Sequence, residues 1–133
     1  MKKKKSAIEQ IERMNRLDDE LRRAAGRGDA EAARALIDQG ARADNADEIG
    51  WTPLMHASAS GTAECVEMLL PLSDVKATDL EGKAAFDAAA DRDDEDGERI
   101  RRALRRAIAE REAREIAESA GGRVLPRRPP RRL

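Results

Sequence analysis

The chain has 133 residues, of which 40% are charged and 2% are aromatic, and its formal net charge is −1. This length corresponds to one domain with tails, and the absence of a run of 18 apolar residues argues against a transmembrane helix. Because charged residues follow its Lys-rich start, we expect no secretory signal, and the single cysteine excludes an internal disulfide and favours a reducing, cytoplasmic location.

The charge is unevenly distributed along the chain. Residues 1–25 carry a formal charge of +3, residues 26–97 carry −11, and residues 98–133 carry +7. An acidic middle is a poor surface for the phosphates of nucleic acids and a plausible one for basic partners.

Two helices are predicted in the first third of the chain. Apolar residues at helical spacing indicate an amphipathic helix over residues 6–25, with Ser6 as its cap. After a Gly-Arg-Gly break, Asp29 is placed to cap a second helix over residues 30–38, and Gly40 lies just past its end.

A second pair of helices follows a polar connection. Thr52 is placed to cap the next helix, and Pro53 falls in its first turn, where a missing N–H costs nothing. Gly61 ends that helix, Thr62 caps the next one, and Pro71 stops it. The fourth helix has an apolar face of Cys65, Val66, Leu69 and Leu70.

The last third begins with a short helix over residues 84–90. The run DRDDEDGE, residues 91–98, is interpreted as a charged, solvated loop, because it lacks the glycine and ligand spacing of a calcium loop. A long helix is predicted over residues 98–119. The final segment GGRVLPRRPPRRL, residues 121–133, has the composition of a disordered tail.

The helix pairs repeat along the chain at a constant spacing. Gly28 recurs as Gly61, and the pair Leu36-Ile37 recurs as Leu69-Leu70 at the same distance in sequence. A period of about 33 residues, with two helices and a turn in each repeat, is the ankyrin signature. Since one pair cannot bury its apolar face alone, the pairs are expected to stack.

The segment DEIGWTPLMHASASGTAECVEMLL resembles the ankyrin repeat family, with eleven family positions in register: Asp47, Gly50, Thr52, Pro53, Leu54, Ala57, Gly61, Glu64, Val66, Leu69 and Leu70. The resemblance implies an all-α, ankyrin-type α-solenoid of about three helix-turn-helix repeats with a long C-terminal helix. It divides the chain into a basic start (1–13), an N-terminal capping repeat (14–46), a repeat (47–78), a degenerate repeat (79–106), a helix extension (107–120) and a tail (121–133). In the third repeat, the acidic run is expected to be an insertion at the turn.

Three features are interpreted as structural. Met55 occupies the position at which the family usually has the turn-stabilising His, and His56 follows it as a helix residue packing between repeats. Cys65 is interpreted as a buried, inert thiol. Because the chain has no phosphate loop, nucleophile elbow or metal-ligand spacing, we expect no enzymatic activity, cofactor or metal.

The resemblance implies a protein-interaction module whose partner contacts the turn tips and the inner helices. Trp51 has two interpretations, a binding hot spot or a side chain that folds over Ile49 and Leu80. The small apolar patch with an acidic rim predicts a basic peptide or helix as partner. The expected contact residues are Glu48, Ile49, Trp51, Ala59, Ser60, Leu80, Glu81, Lys83, Asp91 and Arg92.

The long C-terminal helix has two interpretations. In the first, it is a capping helix whose Arg residues are attracted to the acidic repeats. In the second, it acts together with the tail as a contact for nucleic acid or an anionic membrane. The first is favoured, because no aromatic residue interleaves with the arginines. We expect a monomer, with an oligomer formed through the apolar stripe of this helix as an alternative. The arginine cluster is Arg101, Arg102, Arg105 and Arg106, and the expected i,i+4 ion pairs are Glu110–Arg114 and Arg111–Glu115.

Overall fold

A computed structural model of the chain describes residues 2–120, with side chains described for residues 6–120. The predicted all-α fold is confirmed, since the only extended pairing in this part of the chain is an isolated bridge between Thr78 and Ala84. The predicted disordered tail, residues 121–133, lies outside the described residues. The helices are α1 (Lys2–Arg27), α2 (Ala30–Asp38), α3 (Pro53–Ser60), α4 (Ala63–Leu69, continued by a 3-10 turn Leu70–Leu72), α5 (Ala85–Ala89) and α6 (Glu95–Ser119).

The helices form two rows. The inner row is α1, α3 and α5, and the outer row is α2, α4 and α6, with each helix contacting its neighbour in the row. Each repeat contributes one helix to each row, so the apolar faces meet between the rows. The fully buried side chains at this junction include Leu21, Leu54, Val66, Leu69, Ile100 and Leu104.

Side-chain caps start all three outer helices. Asp29 accepts from the N–H of Ala32, and Thr62 accepts from the N–H of Cys65, as the sequence predicts. Asp94 caps α6 by accepting from the N–H of Gly97. The distance in sequence from Thr62 to Asp94 nearly equals that from Asp29 to Thr62, so the third repeat has no insertion at this point.

The expected solvated loop over residues 91–98 is therefore wrong for residues 95–98, and residues 91–94 form the short connection before α6. Helix α6 begins at Glu95, because Asp94 caps it and three acidic residues in its first turn face the positive end of the helix dipole. Asp96 also accepts a 3.1 Å hydrogen bond from the N–H of Ala63. The acidic run thus begins the last outer helix and ties it to α4.

Helix α1 is longer than the sequence indicates. It extends from Lys2 to Arg27, so Ser6 lies inside the helix and is not its cap. Lys is a good helix former, and the preceding lysine run contains no breaker. Only the second half of the helix packs on the stack, since Ile8 and Ile11 are exposed while Leu21 is buried.

The C-terminal half of α6 is tied to the preceding repeat. Arg111 pairs with Asp74 at 2.8 Å and Glu115 pairs with Lys76 at 3.0 Å. The expected i,i+4 pair between Arg111 and Glu115 is therefore wrong, since both side chains reach across to the connection that follows α4. Among the described residues, Glu110 and Arg114 form no ion pair either.

A buried carboxylate joins α1 to the loop that follows α2. Asp18 has a fully buried side chain and accepts from the N–H, Nε and Nη2 of Arg42, at 2.7, 2.9 and 2.6 Å. It also accepts from Nδ2 of Asn45 at 2.7 Å. These bonds fix the start of the loop that leads to the first turn tip.

Candidate partner-binding surface

Two equivalent turns project from the inner row; we call them tip 1 (residues 47–51) and tip 2 (residues 79–83). In tip 1 the Asp47 carboxylate accepts from the N–H groups of Ile49 and Trp51, at 3.0 and 2.9 Å. In tip 2 the Asp79 carboxylate accepts from the N–H groups of Glu81 and Lys83, at 2.8 and 3.0 Å. The same turn geometry therefore recurs in successive repeats.

Glycine completes each tip and lets the two tips stack. Gly50 and Gly82 have φ values of +84° and +78°, in the left-handed region that favours glycine. A Cβ on Gly50 would also lie 2.9 Å from the backbone N of Leu80, so the second turn packs directly on the first. The N–H of Leu80 donates to the carbonyl of Ile49 at 3.1 Å, which joins the tips.

The carboxylates of the tips are held as anions. Partial burial raises the pKa of Asp47, but the N–H groups of Trp51 and Ile49 and the ring of His56 outweigh it, so the pKa lies below its ordinary value. The pKa of Asp79 is lowered mainly by the N–H of Lys83. The surface around the tips is therefore negatively charged at neutral pH.

Trp51 holds the tips together. Its Nε1 donates to the Asp79 carboxylate at 3.0 Å, and its ring packs against the core cluster and lies 5.1 Å from the ring of His56. The ring does not bury Ile49 or Leu80, which keep 57% and 78% of their surface exposed. Of the two interpretations of Trp51, the one in which it folds over these two side chains is therefore wrong.

His56 supports tip 1 from the inner helix. Its Nε2 lies 3.0 Å from Oδ2 of Asp47, a contact that the sequence reasoning missed. The family's usual His position is occupied by Met55, which is buried. The turn is thus stabilised by the histidine that follows this position in the chain.

A small slot lies on the inner face beside the tips. Its volume is about 160 Å³, and Met55, Ala84 and Ala88 form its apolar lining. The ring of Trp51 closes one side. Charged side chains of Asp79, Lys83 and Asp87 complete the lining.

The predicted contact residues divide into two groups. Most are exposed at the tips or along the inner row: Glu48, Ile49, Ser60, Leu80, Glu81, Lys83 and Asp91. Trp51, Ala59 and Arg92 are partly buried. The guanidinium of Arg92 faces inward, where it donates to the carbonyls of Ser58 and Gly61 at 3.2 and 2.8 Å.

The arginine cluster on α6 does not form one continuous basic surface. Arg101 donates to the carbonyls of Ala89 and Arg92, at 2.8 and 2.6 Å, and so closes the end of α5. Arg105 lies over the ring of Phe86, 5.2 Å from its centroid. These contacts agree with a capping role for α6, but they go to carbonyls and to an aromatic ring and not to the acidic side chains of the repeats.

Several other sites can be assessed directly. Cys65 is buried, and burial raises the pKa of its thiol, which opposes formation of the reactive thiolate.

Within residues 6–120, no group of three or more His, Cys, Asp or Glu side chains is arranged to hold a metal ion. No described helix combines the length and the apolar character needed to span a membrane.

Comparison with known proteins agrees with this geometry. The chain is 36% identical over 53 residues to the ankyrin repeat, SAM and basic leucine zipper domain-containing protein 1 of Ornithorhynchus anatinus, and 36% identical over 52 residues to that of Gorilla gorilla gorilla. The matches cover 40% and 39% of this chain and 11% of each relative. A family model for ankyrin repeats in three copies matches residues 21–100, more than half of the chain. With three capped helix pairs, stacked tips and this match, the chain belongs to the ankyrin repeat family.

Proposed function

We propose that this chain binds a protein partner through the surface formed by tip 1, tip 2 and the inner helices. Ankyrin repeats are generally non-enzymatic protein-interaction modules. The observation that carries the proposal is the exposure of Ile49 and Leu80 on adjacent tips, because apolar side chains on a rigid support are suited to bury against a partner.

The charge around these side chains favours a basic partner. Glu48 and Glu81 are exposed beside the apolar pair, and the carboxylates of Asp47 and Asp79 remain ionised. Complementary charge speeds association and excludes acidic competitors. We therefore propose a peptide or helix that carries Lys or Arg beside an apolar residue.

The slot beside Trp51 is the proposed anchor for one basic side chain. An aromatic side chain attracts a cation, and the two carboxylates of Asp79 and Asp87 outweigh the one positive charge in the lining, that of Lys83. The slot volume of about 160 Å³ suits a single side chain.

The proposal is tested by capturing partners from lysate with the full chain and with an Ile49→Ser/Leu80→Ser variant, then measuring the purified partner by calorimetry. We expect the double variant to weaken binding at least about tenfold, equal to about 1.4 kcal/mol. Ile8→Ser is the matched control, because Ile8 is similarly exposed but lies far along α1. Equal loss in both variants would contradict a tip-centred site.

A second set of variants tests the charge and the alternative site. Glu48→Lys/Glu81→Lys should slow association with a basic partner and reduce the salt dependence of binding. A chain ending at residue 120 should bind normally. Binding that disappears with this truncation and with added salt, but survives the tip variants, would favour nucleic acid or membrane contact through the basic C-terminal region.

A further inference from the structure

A second concave feature lies on the outer side of the molecule, away from the tip surface. It is a groove of about 690 Å³ between the 3-10 turn after α4 and the second half of α6. Its apolar lining comes from both walls: Leu70, Pro71, Val75, Ala103 and Ala107. Because alanines form the α6 wall, the groove is recessed between longer side chains.

Basic side chains border this groove. Arg106, Arg111 and Arg114 contribute to its lining. Arg99 and Arg102 lie farther along α6, but they pair with Glu67 and Glu98 at 3.4 and 3.1 Å. Arg111 is held by Asp74, whereas Arg106 and Arg114 form no salt bridge among the described residues. Two exposed guanidinium groups are therefore free to pair with a ligand.

The chemistry of the groove favours one class of occupant. Its apolar lining requires apolar side chains, which a phosphate backbone does not offer. Of the two carboxylates in the lining, Glu67 pairs with Arg99 at 3.4 Å, so Arg106 and Arg114 outnumber the remaining carboxylate of Glu110. The chain's own C-terminal segment, residues 121–133, has five arginines and no acidic residue, so the arginine border repels it. Guanidinium groups form bidentate pairs with carboxylates.

From this juxtaposition of an apolar groove and unpaired arginines, we infer that the outer groove binds an acidic amphipathic peptide segment of a partner protein. Apolar residues of the segment pack on Leu70, Val75 and Ala107, and its carboxylates pair with Arg106 and Arg114. This site is separate from the tip surface, and together with the basic partner proposed there it lets the chain join a basic segment to an acidic one.

The test uses a displayed library of short random peptides selected on the full chain. The selection is repeated with an Arg106→Glu/Arg114→Glu variant, which changes two exposed side chains and leaves the buried face of α6 intact. We expect the wild-type chain to enrich peptides with Asp or Glu beside Leu, Ile or Phe, and the variant to lose them. Enrichment of the same peptides by both proteins would overturn the inference.

A synthetic form of the most enriched acidic peptide then gives the magnitude by fluorescence anisotropy. We expect the double charge reversal to raise Kd at least tenfold, and Ala107→Asp to raise it by a similar factor because it places a charge in the groove. Arg34→Glu, on the exposed face of α2, is the matched control and should change Kd less than twofold.

Other ligand classes are included as competitors. Single-stranded DNA and phosphatidylserine vesicles should displace the peptide only at low salt and should not distinguish Ala107→Asp from wild type. If either displaces the peptide at physiological salt and loses affinity with both groove variants, that ligand class is the occupant and the peptide inference fails.

Discussion

Replacement of Asp18 by Asn tests the most buried polar contact of the fold. The Asp18 side chain is 1% exposed, whereas its partner Arg42 keeps 47% of its side-chain surface. Asn retains the shape of the side chain but removes the negative charge and one acceptor oxygen. The N–H and guanidinium of Arg42 and the amide of Asn45 then compete for one remaining carbonyl oxygen.

The expected loss of stability depends on whether each donor that loses its bond to Asp18 can form a hydrogen bond to water instead. A hydrogen bond to a charged group contributes about 1.5–3 kcal/mol, but the half-exposed guanidinium of Arg42 regains water and recovers part of that energy. The Asn45 amide and the Arg42 N–H lie deeper in the contact. We therefore expect a loss of roughly 2–4 kcal/mol in the free energy of unfolding, a large part of the total of a small domain.

The measurement is urea unfolding at pH 7, followed by circular dichroism and by the fluorescence of the only tryptophan, Trp51. Asp19→Asn is the matched control, because the neighbouring Asp19 is 49% exposed and its close ion pair, at 2.9 Å, is with the exposed Arg23, whereas the more buried Arg22 lies 3.8 Å away. It should change stability by less than about 0.5 kcal/mol. An Asp18→Asn variant as stable as that control would refute this account of the loop.

Leu69→Ala should lower the unfolding free energy in urea by roughly 2–5 kcal/mol, because Leu69 is fully buried; the exposed Leu72→Ala should cost under about 0.5 kcal/mol, and equal costs would contradict the register. In thermal unfolding, Gly61→Ala should be more destabilising than Gly82→Ala, because a Cβ on Gly61 collides with a carbonyl oxygen of α1, whereas Gly82 has open space and only a positive φ to satisfy. Stability measured against pH should fall below about pH 4, the ordinary Asp pKa, because the salt bridge from Arg92 and the N–H of Gly97 lower the folded pKa of Asp94 to about 2. The unfolded chain then binds more protons than the folded one, and the contribution is lost as the pH falls through the folded pKa; an Asp94→Asn variant with an unchanged acid limb would contradict this.

The repeat architecture could be predicted from local signals. These signals are the caps Asp29 and Thr62, Pro53 in a first turn and the glycines at turn ends. Each acts on residues only a few positions away, so its effect can be predicted from the sequence alone. The regular recurrence of helix pairs then required stacking, because one helix pair cannot bury its own apolar face.

The start of α6 could not be predicted from the composition of residues 91–98 alone. The acidic composition of residues 91–98 is typical of a solvated loop, but the same residues are favourable in the first turn of a helix. The spacing of Asp94 from Thr62 could have distinguished the two interpretations, because it nearly repeats the spacing of the earlier caps. The long extension of α1 before Ser6 had no comparable marker.

Which surface residues remain available to a partner was decided by tertiary contacts. The sequence marks the tips through Asp47-x-x-Gly50 and the equivalent Asp79-x-x-Gly82, and it marks arginines as charged. It does not show that the guanidinium of Arg92 donates hydrogen bonds to the carbonyls of Ser58 and Gly61. Nor does it show that Trp51 donates a hydrogen bond to Asp79 of tip 2. Long side chains can reach several partners, and only the stacked backbone determines which one lies within hydrogen-bond distance.

The chain by itself thus determined its repeat, the charge of its segments and its helices apart from the starts of α1 and α6, because these depend on neighbours along the sequence. The tertiary structure decided the burial of Asp18, the inward position of Arg92 and the outer groove with its unpaired arginines. Each of these depends on residues that are far apart in the sequence, and the distance between them in space is set by how the helices pack.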